Sequence, residues 1–164
     1  MLRDPSLIPL SHQHQHALAL CVRIDRAQPI RDADLSAWRA EIEQHFAEEI
    51  SFHFSAEENV LFPEARRFPA LNPLIDELIA DHASLRESFS QAKARAMSSE
   101  SLPVFARKLS EHIRKEERQL FEQMQELMNP EELAALGVRL EEALKGAPQA
   151  CALPNEATRL RPGT

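Results

Sequence analysis

Residues 30–62, IRDADLSAWRAEIEQHFAEEISFHFSAEENVLF, run from Pro29 to Pro63 without an internal proline or glycine. Within them Trp38, Ile42, Phe46, Glu49, His53, Glu57 and Val60–Leu61 recur at intervals of three or four. That period places side chains on one face of an α-helix. Asp32 or Asp34 can start the helix, and Pro63 stops or kinks it shortly before Pro69. A helix of roughly 30 residues would reach about 45 Å at 1.5 Å per residue. Two members of the buried face do not belong in a hydrophobic core: His53 and Glu57, one helical turn apart.

The same punctuation extends outward. Prolines bound three more clean windows, 10–28, 74–102 and 104–129, and the 3 glycines all fall after residue 136. A sheet needs turns and β-rich runs, and this chain has no Tyr and only scattered Val, Ile and Phe, which disfavours all-β and α/β folds. With 164 residues and ordinary hydrophobic (43 %) and charged (27 %) fractions, it is the size and composition of one soluble domain. Acidic residues outnumber basic ones, 26 to 19, and no basic face is visible, so nucleic acid is not an expected partner. No run approaches the roughly 18 apolar residues of a membrane span. The N-terminus, with Arg3, Asp4, Pro5 and Pro9, lacks the apolar stretch of a signal peptide. Cys21 and Cys151 form no CxxC or scaffold spacing, which fits a reducing, cytoplasmic location.

Helix one is expected to start at Ser11 after Pro9, with Leu18, Cys21 and Val22 in phase. Asn72-Pro73 opens helix three, whose stripe is Leu74, Ile75, Leu78, Ile79, His82, Leu85 and Phe89. After a loop at Met97-Ser98-Ser99, Pro103 begins helix four, with Phe105, Leu109, His112, Ile113, Glu116, Leu120 and Met124 on one face. Asn129-Pro130-Glu131-Glu132 caps a short fifth helix carrying Leu133, Leu136, Leu140 and Leu144, which Gly146 closes. That leucine stripe can close the bundle end or pair with a second chain, so both monomer and homodimer are open. The expected fold is all-α: an antiparallel up-down-up-down four-helix bundle over residues 1–146 with a short fifth C-terminal helix, and a flexible tail over 147–164.

The apolar stripes carry His53 with Glu57, His112 with Glu116, His82 alone, and one histidine of the set His12, His14 and His16. A single HxxxE pair is ordinarily a surface contact worth a few tenths of a kcal/mol. A lone histidine is ordinarily exposed, or satisfied by a neighbour. Two pairs in phase with the stripe, plus single histidines on the other two helices, are different. Burying them uncompensated costs many kcal/mol, and a bound cation supplies the compensation. Four imidazoles and two carboxylates are too many for one tetrahedral zinc. They divide as two imidazoles per metal, with Glu57 and Glu116 bridging and water, oxo or hydroxo groups completing the shells. Nitrogen and oxygen donors suit iron, tolerate manganese or zinc, and disfavour copper(I). A histidine-rich site carries less ligand charge, which fits reversible cycling or the holding of O₂, peroxide or NO. Glu58 and Glu117, one step along each helix, turn about 100° away to support the ligands or face solvent, Glu58 being the substitute ligand. His45 reads as a boundary residue, Cys21 as a small buried hydrophobe, and Trp38 as an anchor at the far end of the bundle.

The motifs LSHQHQHALAL (10–20), HFSAEENVLFP (53–63), DHASLR (81–86) and EHIRKEERQLF (111–121) together resemble a hemerythrin-like protein of the HHE cation-binding family, over roughly residues 10–145. The resemblance implies a carboxylate-bridged di-iron centre held by His14, His53, Glu57, His82, His112 and Glu116. His14 matches because it stands before Ala17-Leu18, with His16 as the alternative. The oxygen carriers of the family have a second histidine one turn along helix three and a final aspartate. Here Leu78 and Arg86 flank His82, and the last carboxylate is Glu116. Four histidines in place of five point away from O₂ transport. What remains is a stand-alone domain that binds or senses O₂, NO or peroxide, or handles iron. The alternatives are a di-iron oxidase, peroxidase or nitric-oxide reductase, and a structural bundle without functional metal.

Overall fold

The computed structural model describes residues 2–147 and 156–159, and among these every regular element is helical. Helix α1 is Ile8–Arg26. Helix α2 covers residues 35–65. It is α-helical over Leu35–His45, Ser51–Ala56 and Phe62–Ala65, with π turns at Phe46–Ile50 and Glu57–Leu61. Helix α3 is Asn72–Lys93. Helix α4 covers residues 101–127 as Ser101–Lys115, a π turn Glu116–Leu120, and Phe121–Leu127. Helix α5 is Pro130–Leu144.

Local chemistry sets most of the ends. Asn129 accepts from the Glu132 backbone while Glu132 reaches back to the Asn129 N–H, a reciprocal cap that fixes the start of α5. The beginning of α1 differs from expectation. Asp4 caps a 3₁₀ turn at Pro5–Leu7 that runs straight into the helix, so Ser11 lies inside α1. Likewise Ser101 starts α4, and Pro103 sits in its first turn, where no N–H is required. Pro63 does not stop α2 at once, since the helix runs on to Ala65. The Phe62 N–H already bonds five residues back to the Glu57 carbonyl, and this widened turn admits a residue that has no N–H to give.

Buried apolar side chains form two clusters. One takes the later part of α1 (Ala17, Leu20, Ile24), the earlier part of α2 (Trp38, Ile42), the later part of α3 (Leu85, Phe89) and the earlier part of α4 (Phe105, Leu109). The other takes the opposite parts: Leu10, Leu61–Phe62, Ile75 and Leu78, and Leu120–Phe121 with Met124. Successive helices swapping ends in this way is the up-down-up-down arrangement. Each fully buried Leu, Ile or Phe contributes about 1.5–3 kcal/mol of transfer free energy. Leu133, Leu136 and Leu140 of α5 belong to the second cluster, so the leucine stripe closes that end of the bundle. Gly137 lets α5 approach the first turn, where a Cβ would stand 2.8 Å from that of Ser6.

Some side chains differ from the expected faces. The buried face of α1 runs through Leu10, His14, Ala17, Leu20, Cys21 and Ile24, leaving Val22 exposed. Ile79 is also exposed, and His45 is buried rather than at a boundary, with burial pushing its pKa down. Trp38 is buried in the far cluster with the Arg23 guanidinium near its ring. Most of the tail expected over 147–164 lies outside the described residues. Its described part, 156–159, is a turn in which Thr158 is buried and its carbonyl accepts from Arg23 at 3.1 Å.

Candidate metal centre

The band between the two apolar clusters is where His14, His53, Glu57, His82, His112 and Glu116 meet. All six are at most 4 % exposed. Their donor atoms fall into two compact sets, His14–His53–Glu57–Glu116 and Glu57–His82–His112–Glu116, with the atoms of each set within 4.8 Å of one another. Both carboxylates belong to both sets. Glu57 Oε1 lies 3.1 Å from His53 Nε2, and its Oε2 lies 3.2 Å from His82 Nε2. Glu116 mirrors this, with Oε2 at 3.1 Å from His14 Nε2 and Oε1 at 3.2 Å from His112 Nε2. Each carboxylate thus spans from one set to the other.

These approaches are not hydrogen bonds. All four carboxylate oxygens, with His82 Nε2 and His112 Nε2, are buried without a hydrogen-bond partner. So many orphaned polar atoms in one place are costly unless a cation joins them. Two clusters of nitrogen and oxygen donors sharing bridging carboxylates fit a pair of metal ions, one per set.

Three of the four outer nitrogens are hydrogen-bonded and the fourth, His112 Nδ1, faces a carboxylate at longer range, in a pseudo-twofold pattern. Glu117, next to Glu116, approaches His14 Nδ1 at 2.6 Å, and Glu58, next to Glu57, approaches His82 Nδ1 at 2.8 Å. Gln13, just before His14, meets His53 Nδ1 at 2.8 Å, while Asp81, just before His82, stands 3.5 Å from His112 Nδ1. Carboxylate or amide oxygens on Nδ1 fix the ring orientation and leave Nε2 facing the centre. The three acids are themselves anchored. Arg3 bonds Glu117 at 2.6 Å, Arg86 holds both oxygens of Glu58, and Lys115 bonds Asp81. The local backbone repeats as well, because both shared glutamates, Glu57 and Glu116, open a π turn, and Phe121 stacks on His14 as Phe62 leans on His82. Such turns recur at functional sites because they shift the helical face by a fraction of a turn.

Charge follows from this crowding. Burial opposes a protonated ring at His14, but the close approach of Glu116, the hydrogen bond to Glu117 and the charge of Glu57 outweigh it, raising the pKa to about 9. At His112 burial is likewise overcome, here by Glu116 and Asp81, to about 10. Against the penalty of burial, the facing imidazoles hold Glu57 below, and Glu116 well below, the usual carboxylate range. Glu117, despite partial burial, is drawn to about 2 by His14 and Ser11. In the metal-free centre, protons on His14 and His112 offset part of the carboxylate charge.

All six residues expected from the sequence come together here. His12 is exposed, and His16 points elsewhere, to Glu49 at 2.9 Å. Glu58 belongs to neither donor set and orients His82 instead. Cys21 is buried, and burial raises its thiol to about 11, as suits an inert packing residue. Reading of the sequence did not assign a supporting role to Gln13, Asp81, Arg3 or Arg86. The one signal available was that a polar amide or acid stands immediately before each lone histidine, in Gln13-His14 and Asp81-His82.

A helical bundle with paired His/Glu donor sets across its waist defines a metal-binding bundle protein. The family model of the hemerythrin HHE cation binding domain matches residues 9–124, and the chain belongs to that family. Comparison with curated proteins and with solved structures gives no significant match. Among the described residues, no helix is long and apolar enough to cross a membrane.

Proposed function

We propose that this chain is a non-haem di-iron protein that takes a small ligand (O₂, NO or peroxide) at its metals. One iron would sit among His14, His53, Glu57 and Glu116, and the other among Glu57, His82, His112 and Glu116. The observation that carries this is the pair of donor sets sharing both carboxylates. When bound, an iron pair supplies a redox-active Lewis-acid site. The protein's residues would hold it: Glu57 and Glu116 belong to both donor sets, and Glu58, Glu117, Gln13 and Asp81 face the outer nitrogens of the imidazoles. The absence of thiolate donors supports iron, with manganese or zinc as substitutes.

The test is metal analysis after iron-replete expression, with about two irons per chain expected. Less than one metal of any kind per chain contradicts the proposal and favours a structural bundle. Mixing the reduced protein with O₂ in a spectrometer then separates the functions. A stable, reversible charge-transfer band supports binding, and sustained turnover with a reductant supports an oxidoreductase.

A further inference from the structure

A small cavity adjoins the centre on the side of the Trp38 cluster, with room for about one water-sized molecule. It reaches His14, His53 and His112, and its other walls are mostly apolar, including Ala17, Ile50 and Leu109. A fully apolar cavity would suit an apolar diatomic gas. Gln13, whose Oε1 is taken up by His53, and Glu49 break that pattern, and Glu49 is the one that carries a charge. It also lines the cavity, is 9 % exposed, and belongs to neither donor set. Its Oε2 accepts from His16 Nδ1 at 2.9 Å. Its Oε1 is buried with no hydrogen-bond partner. The π turn Phe46–Ile50 brings Glu49 and Ile50 into the interior together.

A carboxylate oxygen can only accept. Buried and unpartnered, it is costly until a donor reaches it. The space it borders beside the metals is where a donor can be supplied, by the incoming ligand itself. Among the described residues no lysine or arginine lines the cavity to offset its charge.

On the di-iron reading above, we propose that Glu49 determines ligand specificity, accepting in this cavity the O–H of a small ligand held at the metals, hydrogen peroxide above all. Anions are repelled by the carboxylate, and O₂ and NO bring no proton to satisfy it. Glu49 here binds and selects, and no bond to it forms or breaks.

The test uses the iron-loaded full chain, titrated with azide and followed by its visible charge-transfer absorption, and separately mixed with hydrogen peroxide. Glu49→Gln removes the charge at nearly constant shape and should bind azide about tenfold more tightly, as expected for one charge at short range in a partly screened interior. Glu49→Asp keeps the charge and should stay within about twofold of the parent. Glu49→Ala should react with peroxide about tenfold more slowly while its azide affinity rises. Azide affinity unchanged in Glu49→Gln, with both irons retained, overturns the role of Glu49 and leaves the di-iron centre standing. Loss of iron in Glu49→Gln also overturns it, by making Glu49 part of metal retention. A parent chain that holds no iron overturns the centre and the selectivity together.

Discussion

His14 and His82 each rest on a glutamate that directly follows a bridging glutamate of another helix, while His53 and His112 each rest on the residue before a lone histidine. Removing one such support leaves the donors in place but frees a ring. Glu58→Gln and Glu117→Gln should therefore lower metal affinity by about 10–100-fold without abolishing the fold, measured by competition with a chromophoric chelator. Protonation gives a second prediction. His14 and His112 keep their protons to about 9 and about 10 in the metal-free protein, and metal needs them neutral. Loading at pH 7 should release about two protons per chain, and apparent affinity should climb steeply with pH until those values are passed, as a pH-stat titration would show. The six central residues were legible in the sequence because a histidine or glutamate in phase with leucines is conspicuous. Their supports were not, because Gln13 meets His53 and Asp81 faces His112 only through the packing of separate helices.

At the level of elements, proline and glycine placement located all five helices, and the Asn129 cap was visible outright. The π turns were not. A single widened turn leaves a three-or-four spacing nearly intact, so periodicity passes through it, and Pro63 then looks like a stop. Both bridging glutamates begin such a turn, which ties the register of the following segment to the centre. Deleting exposed Asn59 brings Phe62 to the fourth position after Glu57, so the turn can close to an α turn with Leu61 and Phe62 still in the second cluster, while Glu57 loses the direction that the wide turn gives it. The expected result is weakened metal binding with the helical fold kept, read by metal analysis and circular dichroism, and metal content equal to the parent's would contradict the role assigned to the turn. At the end of α3, Arg95 occupies a left-handed conformation at φ 59, where glycine is ordinarily used. Arg95→Gly should stabilise the protein by about 0.5–1 kcal/mol, read from the shift in melting midpoint.

Across the whole molecule, the two apolar clusters are separated by the band of buried histidines and glutamates. Its stability should depend on what fills it. In the metal-free protein the raised pKa values of His14 and His112 contribute stability that is complete below 6.5 and lost as pH rises through about 9 to 10. The depressed Glu117 contributes above 4.5 and loses its effect as pH falls toward about 2. Chelator-treated protein should therefore be most stable between about pH 4.5 and 6.5 and weaken on the alkaline side by a few kcal/mol, whereas metal-loaded protein should hold its melting temperature at pH 9. The all-helical fold followed from composition and period, but the way α5 seals one end depended on contacts between residues more than a hundred apart, through Gly137 and Ser6. On the di-iron proposal, two metals share Glu57 and Glu116. Crystals of iron-replete protein, measured for anomalous scattering at the iron edge, test it directly. Two peaks are predicted, one among His14, His53 and both glutamates, the other among His82, His112 and the same glutamates. A single peak, or none, would contradict it.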